Sequence, residues 1–277
     1  MSSFKDLKKN RMSNLADLTK QMEKLAEKPS YEDDRIWKCE RDKSGNGYAV
    51  IRFLPACQDE DVPWVQMWSH GFKGPGGWYI ENSLTTLGKD DPVSKANTAL
   101  WNSGIDSDKN IARDRKRKLS YYSNILVLED STNQMNEGEV FLFRYGKKIF
   151  EKISSVLNPE FKDETPFNPF DFSEGANFKI KIRQVDGYAN YDKSEFASPS
   201  KLGDDVKCEA IWKQQHSLQD LVSVDNFKSY QELEARFNTV IGSDSVFEES
   251  IDEEEETVKP TGDTSETMEY FKKLAEQ

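Results

Sequence analysis

The sequence has little of what most enzymes are built around. Its 277 residues include two histidines, His70 and His216, and three cysteines, Cys39, Cys57 and Cys208, with no Cys-x-x-Cys pair. An odd, sparse set of thiols excludes a disulfide framework and a cysteine zinc site, and fits buried thiols in a reducing compartment. No Gly-x-Ser-x-Gly elbow, Walker loop, His-Glu-x-x-His helix or dinucleotide fingerprint occurs, so the chemistries those motifs support have no residues to carry them. Gly74-Pro75-Gly76-Gly77 is glycine-rich, but it contains a proline and leads into a strand, which makes it a hairpin turn and not a phosphate cradle. The acidic cluster Asp59-Glu60-Asp61 reads as a solvated loop in an acidic chain. No catalytic residue is expected. Apolar runs also stay well short of the ~18 residues a membrane helix needs. The charged start after Met1-Ser2-Ser3-Phe4 lacks the apolar stretch of a signal peptide. The expectation is a soluble intracellular protein.

What the chain does have is large rings and unevenly placed charge. Apolar residues make up only 36%, yet 16 Phe, 6 Trp and 10 Tyr supply enough ring surface to argue against general disorder. The net charge is −12. Residues 1–28 carry seven bases and four acids, whereas residues 244–277 carry three bases and twelve acids. The tail includes the block Asp252-Glu253-Glu254-Glu255-Glu256, which repels itself and serves either to solubilise or as an acidic interaction arm. Beyond it, the segment around Tyr270 and Phe271 is too short to be stable alone as a helix.

At the other end, Met12, Leu15, Leu18, Met22 and Leu25 recur every three or four residues, which is one apolar stripe on a helix. The basic knot Lys8-Lys9-Asn10-Arg11 precedes it. Such a helix must bury its stripe, on its own core or on another molecule. The organisation expected is a basic arm over 1–27, a core over 28–243 and an acidic tail over 244–277.

The core reads mainly as β. Strands are expected over 48–54, 64–68, 77–80, 121–128 and 140–145. Residues 178–183 alternate strictly, with three apolar side chains on one face and Lys179, Lys181 and Arg183 on the other. Helices are expected over 94–101, 147–157 and 230–240. Short strands with interspersed helices predict an α+β fold around a small β-barrel.

Three segments interleave cations with aromatic rings. Arg113, Arg115, Lys116, Arg117 and Lys118 run directly into Tyr121 and Tyr122; Phe143-Arg144-Tyr145-Gly146-Lys147-Lys148 repeats the theme; and the basic face of Lys179, Lys181 and Arg183 leads to Tyr188 and Tyr191. A charge run by itself is usually a solvated face, and a strand aromatic is usually core. Three coincident segments in an acidic chain point instead to a single-stranded nucleic acid, which needs cations along its backbone and rings under its unpaired bases.

Several runs also resemble the single-stranded DNA-binding, helix-destabilising protein family of T-even-type bacteriophages. They are residues 49–55, Ser69-His70-Gly71-Phe72-Lys73 with Gly77-Trp78-Tyr79-Ile80-Glu81, residues 116–121, 144–149 and 174–178, the pattern of Leu18, Gln21, Met22, Lys24 and Leu25, and Phe227-Lys228-Ser229 with Glu232-Leu233. The resemblance runs in order over roughly residues 8–242 and thins at 83–112 and 192–226. It implies an OB-type core that coats single strands cooperatively, without sequence specificity or catalysis, during phage replication, recombination and repair. The site it implies takes in Arg52, Lys116, Arg117, Lys118, Tyr121, Phe143, Arg144, Tyr188 and Tyr191, with Trp101 and Tyr122 as additions. Tyr145, Lys147, Lys179, Lys181 and Arg183 join them from the basic and aromatic pattern. It further implies self-association through the basic arm (Lys8, Lys9, Arg11, Leu15, Leu18, Met22). Polymerase, helicase-loader and recombinase partners would be engaged by the acidic tail, in the cytoplasm of an infected bacterial host and away from any membrane. An RNA-binding translational regulator on the same scaffold is the alternative.

The family also implies a structural zinc held by one histidine and three cysteines. Here only His70 matches; Ser83 stands at the first cysteine position, and the following pair falls near Asp91 and Ser94. A serine hydroxyl is a poor zinc ligand. The expectation is therefore no cofactor and no metal, with Phe72, Trp78 and Tyr79 packing this region instead.

Overall fold

The computed structural model describes residues 33–242. The basic arm with its apolar stripe (Lys8, Lys9, Arg11, Leu15, Leu18, Met22) and the acidic tail (Asp252 to Glu256, Tyr270, Phe271) lie outside the described residues.

Two-residue alternation sets the sheet. In β7 (Asn177–Val185), Phe178, Ile180 and Ile182 are buried while the three bases stand on the opposite face. β2 (Gly47–Phe53) runs antiparallel between β7 and β5 (Lys118–Asp130). The long strand β5 is the spine. Along one edge its first part pairs with β3 (Val65–Gly74) and its second part with β2; along the other it pairs with β6 (Val140–Tyr145). β1 (Ile36–Trp37) lies parallel to β6, and β4 (Gly77–Asn82) folds back on β3. β8 (Tyr188–Asn190) and β9 (Glu195–Phe196) both pair with β7. The architecture is α+β, as the sequence predicts. The sheet is open, however, with the two-residue β1 and the three-residue β8 at its ends and no pairing between them. The expected closed barrel is not formed.

The main core lies on one face of this sheet. Phe53 sits inside a ring of Phe143, Tyr145, Phe170, Phe178 and Phe196, with centroids 5.6–6.4 Å away. Helix α3 (Lys147–Leu157, after α1, Pro92–Asn102, and α2, Asp106–Asp114) adds Ile149 and Ile153 to it. On the opposite face Tyr122, Leu142, Val65 and Met67 are covered by Leu218 and Leu221, which follow α4 (Asp205–Lys213).

A second core joins the β3–β4 hairpin to α1 and α5 (Tyr230–Ile241) through Phe72, Tyr79, Val93, Leu233, Phe237 and Val240. α5 starts at a capping box formed by Ser229 and Glu232. Its last turn closes on the hairpin tip, where the Gly76 N–H donates to the Val240 carbonyl at 2.9 Å. A Cβ at Gly76 would lie 2.1 Å from the Thr239 carbonyl oxygen, so only glycine fits that turn. Phe72 and Tyr79 stack at 5.1 Å, as expected. Trp78 does not join them: alternation along β4 turns it to the other face, where it is 59% exposed.

Candidate nucleic-acid interface

Beyond Trp37 the edge of β6 has no strand partner among the described residues, and a groove opens there. Arg144 is exposed at this edge, and its Nε donates to Ser120 Oγ at 3.0 Å, which fixes the direction of the guanidinium. Three cavities of about 230, 340 and 490 Å3 all have Arg144 in their walls. The first runs toward Ile80 and Asn82 and the second toward Lys147, Lys148 and Tyr191. The third passes Trp37, Lys38, Arg41 and Ala189. The buried rings of Tyr122 and Phe143, on opposite faces of the sheet, line the first and the second cavity respectively and both line the third; burial raises the Tyr122 hydroxyl above its ordinary value. The groove thus combines cations at the rim with ring surface below, as an unpaired strand requires.

The basic run before β5 divides by surroundings. Arg115 packs over Phe72 and Phe237 at 5.6 and 5.5 Å, and burial lowers it below the usual arginine value. It belongs to the second core. Arg117 lies over Trp68 at 4.2 Å. Arg113 covers Trp101, which is 49% exposed and shares a shallow cavity with Lys116. Lys116 and Lys118 are exposed, with no ion pair among the described residues.

Other expected contacts are placed elsewhere. Arg52 is fully buried and donates to Asn177 Oδ1, the Asp171 carbonyl and the Ser200 carbonyl at 3.2, 3.0 and 2.7 Å. It ties β2 to the loops before and after β7 and offers nothing to a strand outside. Tyr121 stacks face to face on Phe150 at 3.9 Å, so its ring is already occupied by protein. Tyr145 is buried, with its hydroxyl shared with Ser123, but it lines the second cavity beside Phe143 and Arg144. Lys179, Lys181 and Arg183 stand on the face opposite Ile182, which lines the groove, so they are not brought to it. Lys181 pairs with Glu195 at 2.7 Å and Arg183 with Asp192. Tyr191 lines two of the three cavities, whereas Tyr188 is 79% exposed on β8 and lines none of them.

The region in which the resemblance implies a zinc holds a hydrogen-bonded cluster. His70, Ser83 and Asp91 are buried together. His70 Nε2 lies 3.1 Å from Asp91 Oδ1, and Nδ1 lies 3.0 Å from the Arg115 carbonyl oxygen. Ser83 Oγ and the Leu84 N–H donate to Asp91 Oδ2, and the Ser94 N–H donates to Oδ1. Burial opposes ionisation of Asp91, but the hydrogen bonds from His70, Ser94 and Ser83 outweigh it and hold the carboxyl at about 2. These residues do not fit zinc: there is no thiolate, and both imidazole nitrogens are engaged at hydrogen-bond distance.

Sequence reasoning missed Trp37, Lys38 and Arg41. Their signal was present, since an aromatic between bases in Arg35-Ile36-Trp37-Lys38 repeats the pattern found elsewhere.

Residues 45–241 match the family described as gp32 DNA binding protein like. The chain belongs to that family. It is 40% identical over 235 residues to the single-stranded DNA-binding protein of Enterobacteria phage T2, covering 82% of this chain and 78% of that protein. It is 39% identical over 234 residues to the protein of the same name from Enterobacteria phage T4, with the same coverage. The matched span of this family member contains the whole of β2 to α5, and with it Tyr122, Phe143, Arg144, Lys147, Lys148 and Tyr191 of the groove but not Trp37, Lys38 and Arg41. No helix among the described residues is long and apolar enough to cross a membrane.

Proposed function

We propose that this protein binds single-stranded DNA in the Arg144 groove, without catalysis and without sequence specificity. The observation that carries the reading is an exposed, hydroxyl-oriented arginine that borders three cavities, each lined by at least one aromatic ring, with Lys147 and Lys148 on the second and Lys38 on the third. Its relatives' names supply independent support. Such a groove reads charge spacing and ring stacking, which every base satisfies. The role that follows is coating exposed strands in a phage-infected bacterium during replication, recombination and repair. The basic arm drives self-association along the strand, and the acidic tail recruits other replication proteins. Neutralising about four to six phosphates gives a slope of log K against log salt of roughly −3 to −4 on oligothymidylate. Arg144→Ala weakens binding and flattens that slope by about 0.7. A slope near zero for the full-length protein overturns the reading. Matched RNA oligomers binding more tightly than DNA would favour the message-regulating alternative.

A further inference from the structure

In antiparallel strands, residues directly opposite each other share a face. Lys73 lies opposite Trp78, Gly71 opposite Ile80, and Ser69 opposite both Asn82 and Lys118. Met67 lies opposite Ser120, and Tyr122 opposite Arg144. One continuous sheet face therefore runs from Arg144 to the hairpin tip. Leu218 and Leu221 cover only its Tyr122 and Met67 end. At the other end Trp78 and Ile80 are 59% and 65% exposed, side by side. Their neighbour Tyr79, on the opposite face, is fully buried, so the hairpin core does not need them. Gly71 leaves the space beside Ile80 flat, and a Cβ there would lie 3.9 Å from Lys118 Nζ, which places that ammonium over the same patch. Lys73, Lys118 and Arg144 have no ion pair among the described residues. Glu81, next to Ile80 in β4, is paired with Lys228 and Arg236 at 2.6 and 2.7 Å. Two apolar side chains, one of them an indole, framed by three uncompensated cations are complementary to a polyanion that carries flat bases.

We propose that this hairpin face is a second stacking platform, on which a single strand leaving the Arg144 groove lays a base on Trp78 while Lys73 and Lys118 hold its phosphates. The inference rests on the groove reading above and extends it by naming where the strand goes. The groove alone accounts for a short oligomer; the platform is reached only by a longer one.

Full-length protein is titrated with oligothymidylates of about 4 and about 16 nucleotides, lengths that bracket the site sizes of such binders. Trp78→Ala weakens the longer oligomer on the order of 5- to 100-fold, leaves the shorter one within about twofold, and Trp78→Phe restores most of the loss. Lys73→Ala flattens the salt slope for the longer oligomer only. Equal affinity of Trp78→Ala and wild type for the longer oligomer, in a preparation that Arg144→Ala does weaken, overturns the platform and leaves the groove standing. Unchanged binding of both lengths in Arg144→Ala and Trp78→Ala overturns the groove reading itself. If Trp78→Ala changes sedimentation of the free protein and not DNA affinity, the face is a protein contact and the platform is wrong.

Discussion

A side chain's chemical type does not decide its role; its surroundings do, and Arg52 and Arg144 make the contrast. Both are strand arginines next to aromatic residues, and the sequence groups them together. Arg144 is exposed and held by one hydroxyl, whereas Arg52 is buried and satisfies two carbonyls and an amide. Removing Arg52 leaves those acceptors unpaired and opens a cavity, so Arg52→Ala is expected to cost about 3 kcal/mol or more. Thermal melting measures that loss, and the folded fraction keeps its affinity for oligothymidylate. A stable Arg52→Ala protein with weakened DNA binding would return this residue to the interface. Tyr121 follows the same logic, because the face that could stack on a base already stacks on Phe150. Alternation told which residues share a strand face; it could not tell that α3 would cover this one.

Elements with a strong periodic signal were legible from sequence, and those held by contacts distant in the chain were not. Val140–Tyr145 and Lys147–Leu157 form as expected, because their apolar spacing alone specifies them. α2 and α4 were not foreseen. The polar sequence of α2 buries only Ala112, and it is held by α1 and the Trp101–Arg113 contact. The β3–β4 hairpin was legible, but its attachment to α1 was not, since that depends on four residues spread from 70 to 94. Asp91 caps α1 through the Ser94 N–H and reaches β3 through His70, so one carboxylate fastens helix to sheet. The contacts that make this attachment are hydrogen bonds between protein groups. A strong chelator is therefore expected to leave the melting temperature of the purified protein unchanged. Asp91→Ala, which leaves His70 and Ser83 without their acceptor, is expected to lose about 3–5 kcal/mol. A fall in melting temperature on chelation, or one zinc per chain by elemental analysis, would show a ligand set different from the one described.

At the scale of the whole molecule, an acidic protein that binds a polyanion must keep its charges apart. The net charge is −12, of which residues 244–277 contribute −9. The groove and the hairpin face gather Arg144, Lys147, Lys148, Lys118 and Lys73 on connected surfaces. That segregation was half legible: the tail's charge could be counted directly, whereas the positive surface assembles from β3, β5, β6 and α3 only on folding. A polyanion tethered to the same chain has a high effective concentration, set by linker reach. It is expected to compete with DNA for the cationic surface, most strongly at low salt where screening is weakest. DNA that wins the competition is expected to release the tail, which on the proposed function would couple strand binding to recruitment. Truncation after Ser243 should then raise the affinity for oligothymidylate, by a larger factor at low salt than at high salt. Fluorescence titration of full-length and truncated protein across a salt series measures the difference. Two superimposable salt curves would mean that the tail leaves the groove alone and serves only to solubilise.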